Sequence, residues 1–166
     1  MASPYPFVEA TFSVPAGFAT DDFRIRMLTV NDVIKDYDAV MSSVEELKSR
    51  KPEANWPEGL TLEENLIDLG WHQREFLNRD SFTYTVVSLD ESKVLGCVYI
   101  YPTRKINFDA EVYSWVRETP LGVGMDSQLH NAVRVWLTDT WPFGNVAYPG
   151  REIDWDTWQS VAEEKR

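Results

Sequence analysis

Three closely spaced strand patterns in the middle of the chain limit its fold more than any other feature. Residues 81–89 and 93–101 are both rich in β-branched and aromatic side chains, and only a short polar break at Asp90 separates them. This spacing predicts a β-hairpin. Residues 110–117 form another strand pattern after a polar connection. We therefore predict that the three segments are strands of one sheet.

A pair of glycines follows the third predicted strand. Gly122 and Gly124 precede a segment whose apolar residues recur at helical spacing: Leu129, Ala132, Val133, Trp136 and Leu137. Glycine allows another group to approach the backbone closely, and the free N–H groups at the start of a helix bind anions. The pair by itself is typical of a phosphate-binding turn and equally of a plain strand-to-helix turn.

The segments on either side of this region predict further strands and helices. Residues 23–28 alternate as a strand does, and residues 33–50 keep apolar side chains near helical spacing. Thr61 and Glu64 form the pattern of a capping box at the start of a second helix. Residues 145–148 predict one more short strand. This mixture of elements indicates an α+β fold.

The length of 166 residues is typical of one domain. We divide it into an extended N-terminal arm over residues 1–22, a main domain over residues 23–150 and a helical tail over residues 151–166. The arm carries three prolines and spaced aromatic residues, and the tail carries two tryptophans. No internal repeat or low-complexity tract is present.

The charge balance excludes some classes of partner. Sixteen Lys and Arg against 27 Asp and Glu give a net charge of −11, which repels nucleic acid and anionic membrane surfaces. The acidity either attracts a cationic acceptor or merely keeps the protein soluble. Cys97 is the single cysteine, and no window of about eighteen apolar residues occurs. We predict a cytoplasmic protein.

The order of these elements resembles the GNAT superfamily of acyl-CoA-dependent N-acyltransferases over residues 23–150. Residues 23–32, Phe-Arg-Ile-Arg-Met-Leu-Thr-Val-Asn-Asp, look like the family's first strand and helix start, and Gly96 matches a glycine common in its third strand. The resemblance implies a mixed, mostly antiparallel central sheet flanked by helices on both faces. It also implies transfer of an acetyl group from acetyl-CoA to a small-molecule amine by direct attack.

The most specific part of the resemblance is the loop that binds the acyl-CoA pyrophosphate. The family pattern is Arg or Gln, two residues, Gly, one residue, then Gly or Ala; here it falls on Leu121, Gly122, Val123, Gly124, Met125 and Asp126. Leu121 replaces the basic or amide residue, and Asp126 places a carboxylate where the anion would lie. A second register puts Thr119, Gly122 and Gly124 on the motif, and the sequence does not decide between the two.

Further site residues are implied by the same resemblance. Glu111 lies where some members carry a general base, and Tyr148 is the candidate general acid. The backbone of Trp115 and Val116 would pair with the pantetheine arm and polarise the thioester carbonyl. The alternatives are a Glu111 that points to solvent or accepts a structural hydrogen bond, and a Tyr148 that lies in the core or at the rim of the site. Strand alternation independently predicts that Glu111, Tyr113 and Trp115 share one face.

The two histidines suggest no metal site. His72 lies in the second predicted helix, where substrate contact and a plain surface position are both open, and His130 has no clear partner. With two histidines and one cysteine, no zinc-ligand spacing is present. Two other readings stay open: a catalytically silent GNAT-like module that binds another small molecule or a protein, and a structural oligomerisation domain. A homodimer is compatible with all three.

Overall fold

The computed structural model describes residues 6–50, 55–118 and 124–164. The described chain contains one six-stranded sheet whose strands lie side by side in sequence order. The strands are β1 (Gly17–Ala19), β2 (Arg24–Met27), β3 (Phe82–Val87), β4 (Val94–Pro102), β5 (Ala110–Val116) and β6 (Val146–Ala147). Neighbouring strands from β1 to β5 are antiparallel, and only β5 and β6 run parallel. The predicted hairpin is β3 and β4.

Five α-helices accompany the sheet in the described ranges. They are α1 (Val33–Met41), α2 (Val44–Arg50), α3 (Leu62–Asn78), α4 (Met125–Thr140) and α5 (Trp155–Ser160). The capping box predicted at the start of α3 is confirmed, since Thr61 and Glu64 each bond to the other's backbone N–H. Within the described ranges, no helix is long and apolar enough to cross a membrane.

The prediction of one continuous helix over residues 33–50 was wrong, because the chain breaks between α1 and α2. The hydroxyl of Ser42 donates to the carbonyl of Ala39, 3.1 Å away. Ser43 is buried, and its hydroxyl accepts a hydrogen bond from the backbone N–H of Glu118 at 3.0 Å. The Ser42 hydroxyl takes the Ala39 carbonyl, so the N–H of Ser43 bonds to Val40 three residues back, and the partner of the Ser43 hydroxyl at Glu118 is distant in sequence.

The helices lie on both faces of the sheet, as the fold class predicted. On one face α4 packs Leu129, Val133 and Trp136 against the strands. On the other face, Val40 of α1, Leu47 of α2 and Leu69 of α3 form a second cluster of buried residues with Val94, Cys97 and Trp115. The sheet therefore separates two cores, and a side chain's position along a strand determines which core it enters.

Both terminal segments pack onto this sheet. In the N-terminal arm β1 pairs with β2, Val8 is buried, and the carbonyl of Pro15 accepts a hydrogen bond from the Tyr84 hydroxyl. In the tail, the ring of Trp158 lies 5.3 Å from that of Phe108, at the connection between β4 and β5. The arm and the tail thus extend the main domain rather than projecting from it.

Candidate active site

The parallel strands β5 and β6 part soon after they pair. They are matched only at Ala110 with Val146 and at Glu111 with Ala147, yet β5 continues to Val116. The C-terminal half of β5 therefore presents backbone groups on that side that β6 does not bind. We call this gap the β5–β6 opening.

Alternation of the backbone decides which residues of β5 face the opening. The carbonyl of Trp115 faces β4, since a Cβ atom added at Gly96 would lie 2.1 Å from that oxygen. The carbonyl of Ser114 faces the opposite way and accepts a hydrogen bond from Arg151 at 3.0 Å. Because backbone direction alternates along a strand, Val116 faces the opening as Ser114 does. Of the two residues predicted to contact the pantetheine, Val116 presents its backbone there and Trp115 does not.

The opening leads to a cavity of about 930 Å³ between the sheet and helices α1 to α3. Its lining includes aromatic side chains from four segments of the chain: Trp56, Tyr99, Tyr101, Tyr113, Trp115 and Trp155. The volume lies within the range of sites that enclose small molecules.

Glu111 lies in the wall of this cavity together with Tyr113 and Trp115, as strand alternation predicted. The hydroxyl of Tyr113 donates to Oε1 of Glu111 at 3.1 Å. The ring of Trp155 stacks on that of Tyr113, with centroids 6.1 Å apart and an interplanar angle of 9°. These contacts hold the Glu111 carboxylate on the cavity side of β5.

Asp36 of α1 places a buried carboxylate in the same cavity. Its residue is only 4% exposed, and Nδ2 of Asn65 donates to its Oδ2 at 2.9 Å. Burial raises the pKa of Asp36 from its usual 3.8 to about 6, and the nearby charges of Asp32 and Asp68 act in the same direction. The hydrogen bond from Asn65 opposes this rise without cancelling it.

Tyr99 lies between these groups and the β5 side of the cavity. Its hydroxyl accepts a hydrogen bond from Nε1 of Trp115 at 3.1 Å, and the ring of His72 lies 5.4 Å from the Tyr99 ring. Nδ1 of His72 lies 3.2 Å from the hydroxyl of Thr83. Burial lowers the pKa of His72, so this imidazole is neutral at pH 7.

At the start of α4, an array of charges borders the β5–β6 opening. Asp126 accepts two hydrogen bonds from Arg151, at 2.7 and 2.8 Å, and one from Arg50 at 3.0 Å. Arg50 also binds Glu46 at 2.8 Å. Burial alone would raise the pKa of Asp126, but the hydrogen bonds and charges of the two arginines outweigh it and lower that pKa. This carboxylate is therefore ionised at neutral pH.

Solved structures share this arrangement of strands and helices. The ribosomal-protein-S5-alanine acetyltransferase from Vibrio fischeri aligns with a TM-score of 0.61 and 18% identity, over 74% of this chain and 67% of that one. The GNAT fold is present in this chain.

Two further structures with this fold hold acyl carriers. The ribosomal L7/L12 α-N-protein acetyltransferase RimL, in complex with coenzyme A, has a TM-score of 0.54 and 17% identity, over 74% of this chain and 66% of that one. The microcin C7 self-immunity acetyltransferase MccE, in complex with acetyl-CoA and AMP, has a TM-score of 0.56 and 14% identity, over 76% of this chain and 68% of that one. This chain thus spans about two thirds of their length. No family model and no curated protein matches the sequence.

The structure describes only part of the predicted pyrophosphate loop. Thr119, Leu121, Gly122 and Val123 lie outside the described residues, so neither register of the loop motif is resolved. Gly124 is the N-cap of α4 with a φ of 92°, a left-handed conformation that favours glycine. Met125 is buried in the core beneath α4, while Asp126 borders the cavity.

Tyr148 lies on the α4 side of the GNAT sheet, away from Glu111. It is buried in the core that contains Leu129, and its ring packs edge-on against His130 at 5.0 Å. Burial raises the pKa of Tyr148 to about 12. It is not among the described residues that line the cavity. His130, for which the sequence indicated no partner, also lies 3.3 Å from a carboxylate oxygen of Glu152.

Several residues of the cavity were not predicted from the sequence, although some signals for them existed. Asp36 interrupts the apolar stripe of its helix, three residues after Val33 and four before Val40, which places a carboxylate on the buried face. Arg50 and Arg151 carry no such signal, since they meet Asp126 only in the folded chain. Among the described residues, no group of three or more His, Cys, Asp or Glu side chains is arranged to hold a metal ion.

Proposed function

We propose that this chain transfers an acetyl group from acetyl-CoA to the amine of a small molecule by direct attack. The β5–β6 opening carries the proposal, because it joins backbone groups of β5 that β6 does not bind to a cavity that contains Glu111 and Asp36. The acetyltransferases that share the fold include proteins named for ribosomal-protein substrates. The cavity volume of about 930 Å³ favours a small acceptor for this chain.

Acetyl-CoA supplies an activated acyl group as a thioester, and residues at the opening fit its polar parts. Backbone groups of Ser114 and Val116 are directed toward the place of the pantetheine arm. The N-terminus of α4 at Gly124, with the guanidinium groups of Arg50 and Arg151, provides positive charge suited to a diphosphate. The carboxylates of Asp126 and Glu46, which pair with these arginines, oppose the diphosphate.

Glu111 acts as the general base in this proposal. Its carboxylate accepts a proton from the acceptor ammonium, directly or through water, while the Tyr113 hydroxyl fixes its orientation. The backbone N–H of Val116 stabilises negative charge that develops on the carbonyl oxygen. Tyr148 has no part in the proposed proton transfer, because it belongs to the opposite core.

A second candidate function is favoured by the contacts of Arg151. This side chain already binds the Ser114 carbonyl and the Asp126 carboxylate, which are groups that face the proposed acyl-CoA site. If these contacts persist, the fold serves as a catalytically silent module that binds a different ligand in the aromatic cavity.

Calorimetric titration with acetyl-CoA and with CoA tests the proposal. We expect micromolar binding to the wild type and its loss in Gly124→Trp, whose indole would cover the start of α4. Gly59→Trp is the matched control, since Gly59 also has a positive φ and nothing lies within 4 Å of a Cβ added at either glycine. The control should bind as the wild type does. Wild-type protein that binds neither compound at millimolar concentration would instead support the silent module.

A further inference from the structure

The charged side chains around the cavity fall into a paired set and an unpaired set. Among the described residues that line it, both guanidinium groups belong to Arg50 and Arg151, which are paired with Glu46 and Asp126. The remaining carboxylates of the described lining are Asp36, Asp68 and Glu111, and no described residue forms an ion pair with any of them. The part of the lining that these three carboxylates contribute is therefore acidic.

Asp36 is the most deeply buried of these carboxylates. Asn65 donates to Oδ2, whereas Oδ1 accepts no hydrogen bond from the described residues, although Asp36 lies in the cavity wall. A buried carboxylate that lacks a countercharge is costly to ionise. A cation in the cavity would supply both the missing charge and a donor for Oδ1.

The aromatic walls beside Asp36 suit a cation as well. Trp115 is buried, Tyr99 is partly buried against the same core, and the ring of Trp56 lies 6.5 Å from that of Trp115. Aromatic faces attract ammonium and guanidinium groups, and the attraction is stronger where water is excluded. A cationic group at Asp36 would thus be held by charge on one side and by aromatic rings on the other.

The distance between Asp36 and Glu111 can be judged from the strand register. Glu111 is opposite Tyr101 on β4, whereas the Asp36 charge acts on Cys97 and Tyr99 of the same strand. The component of their separation along the strand is therefore two to four residues, or roughly 7 to 13 Å at about 3.3 Å per residue, to which the height of α1 above the sheet adds. One small, extended molecule can therefore reach both carboxylates.

We propose that the acceptor carries two positive charges: the amine that is acylated, near Glu111, and a second cationic group that is not acylated and binds Asp36. The substrate class is thus an alkyl or aryl diamine, or an amine that carries a guanidinium group. The identity of the reacting amine rests on the proposed function, whereas the binding of a dication at Asp36 does not. Asp36 is a specificity-determining residue in this proposal.

Equilibrium binding without acetyl-CoA tests the inference directly. The probes are diaminobutane, diaminohexane and diaminooctane, with hexylamine as the monocation of matched length, titrated at pH 7.5 into wild type, Asp36→Asn and Asp38→Asn. Asp38 lies on the same helix but is exposed and paired with Arg117. We expect at least one diamine to bind wild type and Asp38→Asn tenfold or more tightly than hexylamine. In Asp36→Asn, that diamine should bind no more tightly than hexylamine.

Three results would overturn the inference. They are equal binding of diamines and hexylamine by the wild type, retention of the preference in Asp36→Asn, and an equal loss of both ligands in that variant. The last result would mean that Asp36 holds the reacting amine itself. Diamine binding that depends on Asp36 in a protein that does not bind acetyl-CoA would refute the proposed acyl transfer and leave the dication site intact.

Discussion

Arg151 binds both carboxylate oxygens of Asp126 and, through the same guanidinium group, the carbonyl of Ser114. The start of α4, the segment after β6 and the free edge of β5 are therefore joined by one side chain. In a GNAT fold these are the parts that surround the β5–β6 opening, so this contact controls the charge and the access at the proposed acyl-CoA site.

Replacing Asp126 should separate its structural role from its effect on acyl-CoA binding. We expect Asp126→Asn to bind CoA about tenfold more tightly, since it removes a negative charge near the proposed diphosphate position. We also expect it to lower the free energy of unfolding by about 1 kcal/mol at pH 7, because a half-exposed ion pair stabilises only modestly. Calorimetry and urea denaturation measure the two effects.

Asp156→Asn is the matched control for that variant. Asp156 is the second residue of α5, as Asp126 is of α4, so both substitutions remove an acidic group from the first turn of a helix. The control should leave CoA affinity unchanged. An Asp126→Asn protein with unaltered or weaker affinity for CoA would contradict the placement of the diphosphate at α4.

Asp36→Asn should stabilise the protein in a pH-dependent manner. Burial raises the pKa of Asp36 from 3.8 to about 6, so the folded state binds this proton more tightly than the unfolded state. The stability that comes from this tighter proton binding is fully present below the pKa that Asp36 has in the unfolded state. It is lost as the pH rises through the pKa that Asp36 has in the folded state. At pH 8 the free energy of unfolding of Asp36→Asn should therefore exceed that of the wild type by up to about 3 kcal/mol.

Urea denaturation at a series of pH values measures this difference between Asp36→Asn and wild type. It should shrink between pH 6 and pH 4 and be nearly absent below pH 4. The hydrogen bond from Asn65 can be retained by the asparagine carbonyl, so the comparison isolates the charge. A constant difference across this range would show that Asp36 is not the titrating group.

Binding of the dication should weaken in acid. As the pH falls from 7 to 5, Asp36 becomes protonated, and the affinity for a bound diamine should fall about tenfold. The groups that face this carboxylate are Asp32, Asn65, Asp68, His72, Cys97 and Tyr99. Titrations at pH 5, 6, 7 and 8 should show a smaller change for Asp36→Asn; equal pH profiles would contradict the prediction.

Gly96→Ala should disrupt the approach of β4 to β5. The added Cβ would lie 2.1 Å from the carbonyl oxygen of Trp115, so the strand that forms the cavity wall must shift. We expect a loss of about 3 kcal/mol in the free energy of unfolding. In Gly59→Ala no atom lies within 4 Å of the new Cβ, and only the positive φ is unfavourable for alanine. This variant should therefore lose about 1 kcal/mol in the free energy of unfolding. Equal losses in the two variants would refute the steric explanation.

Much of the fold follows from patterns that are local in the sequence. The strands from residue 82 to residue 102 are rich in β-branched and aromatic residues, β5 alternates, and the start of α3 carries its own capping box. The same alternation correctly put Glu111, Tyr113 and Trp115 on one face. Each of these features depends on residues only a few positions apart, so one sequence is enough to reveal it.

The amino-acid sequence by itself determined the order of the elements from β2 onward apart from the break between α1 and α2, the face of β5 that bears Glu111 and the acidic balance of the chain. Only the tertiary structure decided that Asp36 shares a cavity with Glu111, that the Trp115 carbonyl faces β4 and that Arg151 pairs with Asp126. The physical reason is that periodicity tells which side chains turn inward, while the partner opposite each of them comes from a distant segment. Charge pairing and desolvation depend on that partner.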